Sequence, residues 1–190
     1  MRINEIFYSL QGEGYWTGTP AVFVRFSGCN LRCPFCDTQH QSGTDMSEAE
    51  IVAEVAKHPA RWVVLTGGEP TLFVTASLID VIHATGKKVA VETNGTHPIA
   101  GFPDWVTCSP KDAFCPNADP VLKSCDELKV VFSGQPPKEY PIHAQIKYLQ
   151  PCDVGNAEKN AEIAQKAVNF ALSHPDWHIS IQTQKILKIR

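Results

Sequence analysis

Residues 21–38 read Ala-Val-Phe-Val-Arg-Phe-Ser-Gly-Cys-Asn-Leu-Arg-Cys-Pro-Phe-Cys-Asp-Thr, an apolar run that opens into a polar loop carrying three thiols. Val and Phe at 22–26 fit a pleated, half-buried surface, so Ala21–Phe26 predicts a buried strand. The same change from strand to turn chemistry recurs along the chain. Trp62–Thr66 runs into Gly67-Gly68-Glu69-Pro70, Lys88–Thr93 into Asn94-Gly95-Thr96, and Trp105–Cys108 into Ser109-Pro110-Lys111. Glu127–Phe132 and Ala144–Leu149 predict two more strands, the second closing on Gln150-Pro151, and Ile179–Thr183 predicts a last one. Helices separate several of them. Ser47 and Glu50 have capping-box spacing for a helix running to about His58. Thr71–Thr85 reads as a helix stopped by Gly86, and Ala157–Ser173 places Ala161, Ala164, Ala167, Val168 and Ala171 at helical spacing.

Strands alternating with helices imply a parallel sheet with crossover connections. The fold class is therefore α/β, an open, partial βα barrel of about six parallel strands, because a complete eight-fold barrel needs more of both elements. With 190 residues, 43% of them hydrophobic, residues 1–190 make one domain around one core. In such a fold the C-terminal ends of the strands share one rim, so the polar loops after them face a single cavity.

A formal net charge of −3 offers no broad phosphate-binding surface, which argues against a nucleic-acid partner. Glu5 interrupts the opening residues before any apolar stretch develops, so no signal peptide is expected, and no run is long enough to span a membrane. The chain reads as a soluble, cytoplasmic protein. Seven cysteines in such a setting speak against a disulfide framework. Cys108, Cys115, Cys125 and Cys152 read as ordinary buried thiols, with an auxiliary metal site at Cys115 and Cys125 as the alternative.

Cys29, Cys33 and Cys36 follow a C-x-x-x-C-x-x-C spacing. Thiolates suit cluster iron, and a short loop can wrap three corners of a [4Fe–4S] cubane while leaving one iron open. A structural zinc site closed by His40 is the rival reading of the same residues. The spacing resembles the signature of the radical S-adenosylmethionine superfamily, and Gly67-Gly68-Glu69-Pro70 resembles that superfamily's GGEP motif. Within it, the residues from Ser9 to Gly14, from Arg25 to Cys29 and from Cys36 to Thr38 resemble the 7-carboxy-7-deazaguanine synthase family. So do Glu92–Thr96, Ser109–Lys111, Asp126–Lys129, Leu149–Pro151 and the tail from Gln182. Gln184 departs from the family pattern, which has His there.

The resemblance makes 1–190 a single radical S-adenosylmethionine core domain, with the cluster on Cys29, Cys33 and Cys36. It implies reductive cleavage of S-adenosylmethionine and hydrogen abstraction from C6 of 6-carboxy-5,6,7,8-tetrahydropterin. Ring contraction, loss of ammonia and regeneration of S-adenosylmethionine follow. Contacts to S-adenosylmethionine are implied for Phe35, Cys36, Asp37, Gly68, Ser109, Pro110, Lys111 and Gln150. Substrate contacts are implied for Leu10, Gln11, Gly12, Glu13, Arg25, Thr66 and Arg190. Thr38 would ligate Mg²⁺, for which Asp37 is an equally reasonable candidate. The resemblance further implies an external electron donor such as flavodoxin, and a homodimer. A glycyl-radical-enzyme activase shares the cysteine spacing and is the alternative activity.

The residues support parts of this directly. The Gln11 amide and the Glu13 carboxylate suit the N–H and carbonyl pattern of a pterin edge, against a plain glycine-rich turn. Glycines at 67 and 68 allow close approach of a ligand, and the acid at 69 complements a cationic amino group. Arg25 inside an apolar strand needs an anion, either a substrate carboxylate or an internal partner. Lys111 is a cofactor contact or a solvated surface lysine.

Overall fold

The computed structural model describes residues 1–190. The apolar run at 21–26 is β2 (Pro20–Phe26), which lies antiparallel to β1 (Arg2–Leu10) and parallel to β4 (Trp62–Gly67). A two-residue strand, β3 (Thr44–Asp45), pairs antiparallel with the other side of β1. Beyond β4 the sheet continues, all parallel, through β5 (Lys88–Thr93), β6 (Trp105–Cys108), β7 (Ser124–Phe132), β8 (His143–Pro151) and β9 (Trp177–Ile179). The order is β3-β1-β2-β4-β5-β6-β7-β8-β9, so seven strands are parallel where about six were expected.

Helices α1 (Glu48–Ala56) and α2 (Ala76–His83) cover one face near β2, β4 and β5, and α3 (Ala157–Ser173) packs on β8 and β9. The capping box is formed: Ser47 accepts the Glu50 N–H, and the Glu50 carboxylate takes the Ser47 N–H at 2.7 Å. The expected helix over 71–85 is broken. Pro70–Leu72 form a 3-10 turn, and the Thr75 hydroxyl then caps a new start by accepting the Leu78 N–H.

The strand expected over 179–183 is also displaced. β9 ends at Ile179, and Thr183–Leu187 form a short helix, α4. The cause is a set of bonds to the far side of the sheet. Ser180 Oγ accepts the Gly14 N–H, and the Thr183 N–H and hydroxyl both donate to the Gly12 carbonyl, pulling the chain off the sheet edge. The tail thereby bridges from the β9 edge back to the β1–β2 loop.

Strand periodicity sorts the side chains. Val22, Val24, Phe26, Val63, Leu65, Val89 and Val91 point at α1 and α2, where Leu78, Ile79 and Ile82 meet them fully buried. Each such side chain contributes roughly 1.5–3 kcal/mol by leaving water. The opposite face begins apolar, with Phe23, Trp62, Val64 and Ala90 packed under Trp16 and Trp105. Further along the same face, toward the strand ends, stand Arg25, Thr66, Glu92, Thr107, Lys129 and Gln150. The core therefore lies under the helices, and polar chemistry is concentrated on the inner face of the sheet. No helix is long and apolar enough to cross a membrane.

Candidate active site

One cavity of about 1570 Å³ opens over the C-terminal ends of the strands. It exceeds the roughly 300–1,000 Å³ typical of a site for one small ligand, so there is room for more than one bound group. Every site residue singled out from the sequence lines it except Pro110, which is buried and does not reach it.

The rim is the cysteine loop. Gly68 sits so close beneath it that a Cβ would stand 1.9 Å from the Gly28 carbonyl oxygen and 3.0 Å from Cys29 Cβ. Gly68 thus lets two loops meet closely, and both glycines also line the cavity. Glu69 departs from expectation. Its carboxylate is buried and committed to Thr71 N–H and hydroxyl (3.0 and 2.6 Å), the Thr93 hydroxyl (2.7 Å) and the Asn94 N–H (2.7 Å). It ties the loops after β4 and β5 together and does not line the cavity.

Cys29, Cys33 and Cys36 line one side of the cavity as free thiols. Burial raises the Cys29 thiol above its ordinary value, and burial with the Cys115 contact pushes Cys33 up to about 12. Metal binding displaces such protons. No three His, Cys, Asp or Glu side chains, His40 included, converge closely enough to share one ion. Tetrahedral zinc with bonds of about 2.3 Å needs sulfurs within roughly 4 Å of one another. Three free thiols on one loop that do not converge on a single ion are the donor type that cluster iron takes. Cys115 lies 3.6 Å from Cys33 in a small cluster under the cysteine loop, whereas Cys125 packs with Cys108 in a separate core cluster. The auxiliary metal pairing of Cys115 with Cys125 is therefore excluded.

Beside the loop, Lys111 is no solvated lysine. Its Nζ donates to the Ser109 carbonyl and hydroxyl, both at 2.6 Å, and burial lowers its affinity for its proton. Phe35 meets Phe114 edge-on at 4.7 Å. Gln150 is buried on β8, and neither its amide nitrogen nor its oxygen has a partner. An orphaned amide at a cavity wall costs about 1–3 kcal/mol per group, a cost relieved by a ligand bearing both donors and acceptors. S-adenosylmethionine, with its amino, carboxylate and adenine groups, fits that description.

The floor is charged. The Lys129 ammonium lies 2.8 Å from Glu13 Oε2 and 3.8 Å from Glu92 Oε1. Glu13 Oε1 accepts the amide N–H groups of Gln182 (2.9 Å) and Gln184 (3.0 Å). Burial would raise the Glu13 pKa, but Lys129 and the two amides overcome it and lower it to about 2. Gln11 gives one amide N–H to Glu92 Oε1 at 2.7 Å, and its oxygen accepts the Gly12 and Glu13 N–H groups. Its acceptor is thus used by its own turn. Thr66 is 3.4 Å from Glu92 Oε2, leaving that oxygen weakly satisfied. The two glycines of the Gln11–Gly14 turn answer to space. A Cβ at Gly12 would fall 1.9 Å from Gln184 Oε1, and one at Gly14, where φ is +66°, 2.1 Å from Glu127 Oε1.

A cationic corner completes the cavity. Glu5 bridges two guanidinium groups, Arg25 through Nε at 3.0 Å and Arg190 at 2.6 Å, and both lie within about 6 Å of the Phe7 ring centroid. Arg25 thus has an internal partner and still keeps N–H donors to spare. One of its terminal nitrogens lies 3.2 Å from the Thr38 hydroxyl, which in turn is 3.4 Å from Asp37 Oδ1.

Sequence reading missed Glu5, Glu92 and Lys129 as parts of the site. The signal for the last two was present in the alternation: each is a charged side chain at the inward position of an otherwise apolar strand, the argument that singled out Arg25.

The chain is similar to known proteins along its length. Residues 23–109 match the family profile of the Radical SAM superfamily, a stretch that includes the cysteine loop and the loops after β4 and β5. A 7-carboxy-7-deazaguanine synthase of Bacteroides thetaiotaomicron is 52% identical over 190 residues, covering 100% of this chain and 98% of the relative. One of Nitratidesulfovibrio vulgaris is 39% identical over 99% of this chain and 98% of its own length. The crystal structure of QueE from Escherichia coli superposes with a TM-score of 0.75 at 27% identity, covering 95% of this chain and 93% of that one. The fold is that of a radical S-adenosylmethionine enzyme. Within that class, the chain belongs to the 7-carboxy-7-deazaguanine synthase family.

Proposed function

We infer that the chain is a radical S-adenosylmethionine lyase that converts 6-carboxy-5,6,7,8-tetrahydropterin to 7-carboxy-7-deazaguanine with loss of ammonia. The observation that carries this is the convergence, in one cavity of a full-length family member, of three loop thiols with a floor of amides and carboxylates. The relatives span their whole length with this chain, which sets aside both the activase and the zinc module as readings of the cysteine spacing alone.

Cys29, Cys33 and Cys36 would hold the [4Fe–4S] cluster, which with S-adenosylmethionine supplies the one-electron chemistry. Gln150, Lys111 and Ser109 orient S-adenosylmethionine, and Phe35, Asp37 and Gly68 shape its place beside the loop. Glu13, Glu92 and Thr66 face the N–H donors of the pterin ring, and the second amide N–H of Gln11 faces its carbonyl. Leu10 and Gly12 flank Gln11 in the turn that also carries Glu13, and the aromatic plug of Phe23, Trp62 and Trp105 keeps water from below. Arg25 and Arg190 hold the substrate carboxylate. Thr38 and Asp37 would offer oxygen ligands to Mg²⁺, which prefers oxygen donors and keeps several waters. An external one-electron donor of flavodoxin type and a homodimeric state complete the proposal.

The test is anaerobic turnover without any partner protein. Reconstituted enzyme, reductant, S-adenosylmethionine, Mg²⁺ and 6-carboxytetrahydropterin should yield 7-carboxy-7-deazaguanine and ammonia in equal amounts. Turnover that requires an added protein substrate would instead return the activase.

A further inference from the structure

Lys129 is a buried cation to which the substrate scheme above gives no role. It lies on β7 between Leu128 and Val130, both in the core, and its side chain is 7% exposed. Its Nζ joins two elements otherwise far apart in sequence, the β1–β2 turn through Glu13 and β5 through Glu92. Glu127, two residues earlier on the same face of β7, adds a third carboxylate to its surroundings, and Lys111, from the loop after β6, opposes it. The remaining bonds to these acids come from neutral amides and a hydroxyl. Lys129 is therefore the cation within bonding reach of both.

We propose that Lys129 is a positioning residue whose ammonium fixes the Glu13 and Glu92 carboxylates as a paired acceptor for the N–H-rich 2-amino-4-oxopyrimidine edge of the substrate. The proposal rests on the pterin reading and says where its ring selectivity comes from. Glu13 has its Oε1 committed to two tail amides and its Oε2 to Lys129, so one lone-pair direction on Oε2 remains. Glu92 Oε2 is bonded weakly. Two ionised oxygens in fixed places suit two N–H donors. They reject an analogue carrying a carbonyl in place of the 2-amino group, because two acceptors would then face each other without a proton between them.

The electrostatics support this arrangement. Burial alone would strip the Lys129 proton, and the three surrounding carboxylates reverse that and hold the ammonium above lysine's ordinary range. The same pairing keeps Glu13 ionised against its own burial. Without the lysine, burial drives Glu13 toward its neutral acid, and an acceptor becomes a donor.

The experiment measures binding on reconstituted holoenzyme with S-adenosylmethionine and Mg²⁺, by fluorescence titration of 6-carboxypterin and of its 2-oxo analogue. K129M should bind 6-carboxypterin roughly 10–100-fold more weakly at neutral pH, the range expected for loss of a charged hydrogen bond. Relative to wild type, its affinity should improve as pH rises from about 5 to about 8, where a buried carboxyl ionises. Its preference over the 2-oxo analogue should shrink, and K129R should recover most of the loss. Wild-type affinity and selectivity in K129M overturn the proposal, as does a loss that neither depends on pH nor responds to K129R. If K129M does not fold, the E13Q background decides: K129M should then add less than about threefold, since the coupled partner is gone. A further loss of about tenfold or more in that background contradicts the pairing. A wild-type holoenzyme that ignores 6-carboxypterin refutes the substrate reading alone. Isotope-edited infrared spectra of Glu13 then test the lysine separately. Protonation near neutral pH in K129M but not in wild type upholds its role, and an ionised Glu13 in both removes it.

Discussion

The cysteine loop and the charged floor face each other across one cavity and are built in opposite ways. Residues 31–40 contain no helix or strand, Cys36 is exposed, and the Cys36 N–H to Cys33 carbonyl bond of 3.2 Å is a local turn. The floor is buried, hydrogen-bonded and charge-paired, with contributions from the β1–β2 turn, β5, β7 and the tail. The loop is finished by what it binds, since thiols above their ordinary pKa give up protons to metal. The floor is finished by folding, because uncompensated buried carboxylates would not survive it. Damage to the rim should therefore appear in loading and turnover, and damage to the floor in stability and substrate binding.

Cys33→Ala probes the rim and should have the largest effect on activity. Iron content and S-adenosylmethionine cleavage fall to background, while urea denaturation changes by less than about 1 kcal/mol, as for loop positions outside the core. A variant that retains a full cubane would remove the contrast. Lys129→Met probes the floor from within. Leaving Glu13 and Glu92 without their cation should cost about 3–5 kcal/mol of stability, measured by the same denaturation, while iron binding persists. Gly68→Ala sits where the two regions meet the sheet. Its Cβ would strike the Gly28 backbone, which cannot turn aside as a side chain can, so about 1–3 kcal/mol is lost and cluster loading drops with it.

The smallest effect sharpens the comparison through pH. Glu13 titrates at about 2 in the folded protein against an ordinary value of 4.5. A carboxyl with a depressed folded value stabilises the protein above its unfolded pKa and loses that contribution as pH falls through the folded one. Wild type should therefore lose stability between about pH 4.5 and pH 2, and Glu13→Gln should lose less over the same interval, by thermal melts at several pH values. Equal slopes in that window would mean that Glu13 is not held by Lys129 as described.

These regions also differ in how far the sequence exposes them. The rim is written locally: three thiols within eight residues, a strand before them, and polar loops after successive strands are all short-range signals. Ser47 with Glu50, and the alanine spacing of α3, are legible for the same reason. The floor depends on contacts across more than a hundred residues. Glu13 meets Lys129, Gln182 and Gln184 only once the sheet is assembled, and no local pattern announces those partners. Ile179–Thr183 has strand composition, but Gly12 and Gly14 recruit it as a strap, which a window of neighbouring residues cannot show. Glu69 sits in a motif that suggests a ligand-facing acid, and only its four bonds show it to be an organiser of loops. Glu92 and Lys129 were readable from strand alternation, the rule that found Arg25.

The measurement that tests the central claim most directly is one mass spectrum of the complete anaerobic reaction, run side by side for wild type and Cys33→Ala. The account predicts 7-carboxy-7-deazaguanine from wild type and neither it nor 5′-deoxyadenosine from the variant. Cleavage of S-adenosylmethionine by wild type without 7-carboxy-7-deazaguanine, or product from the variant, would contradict it.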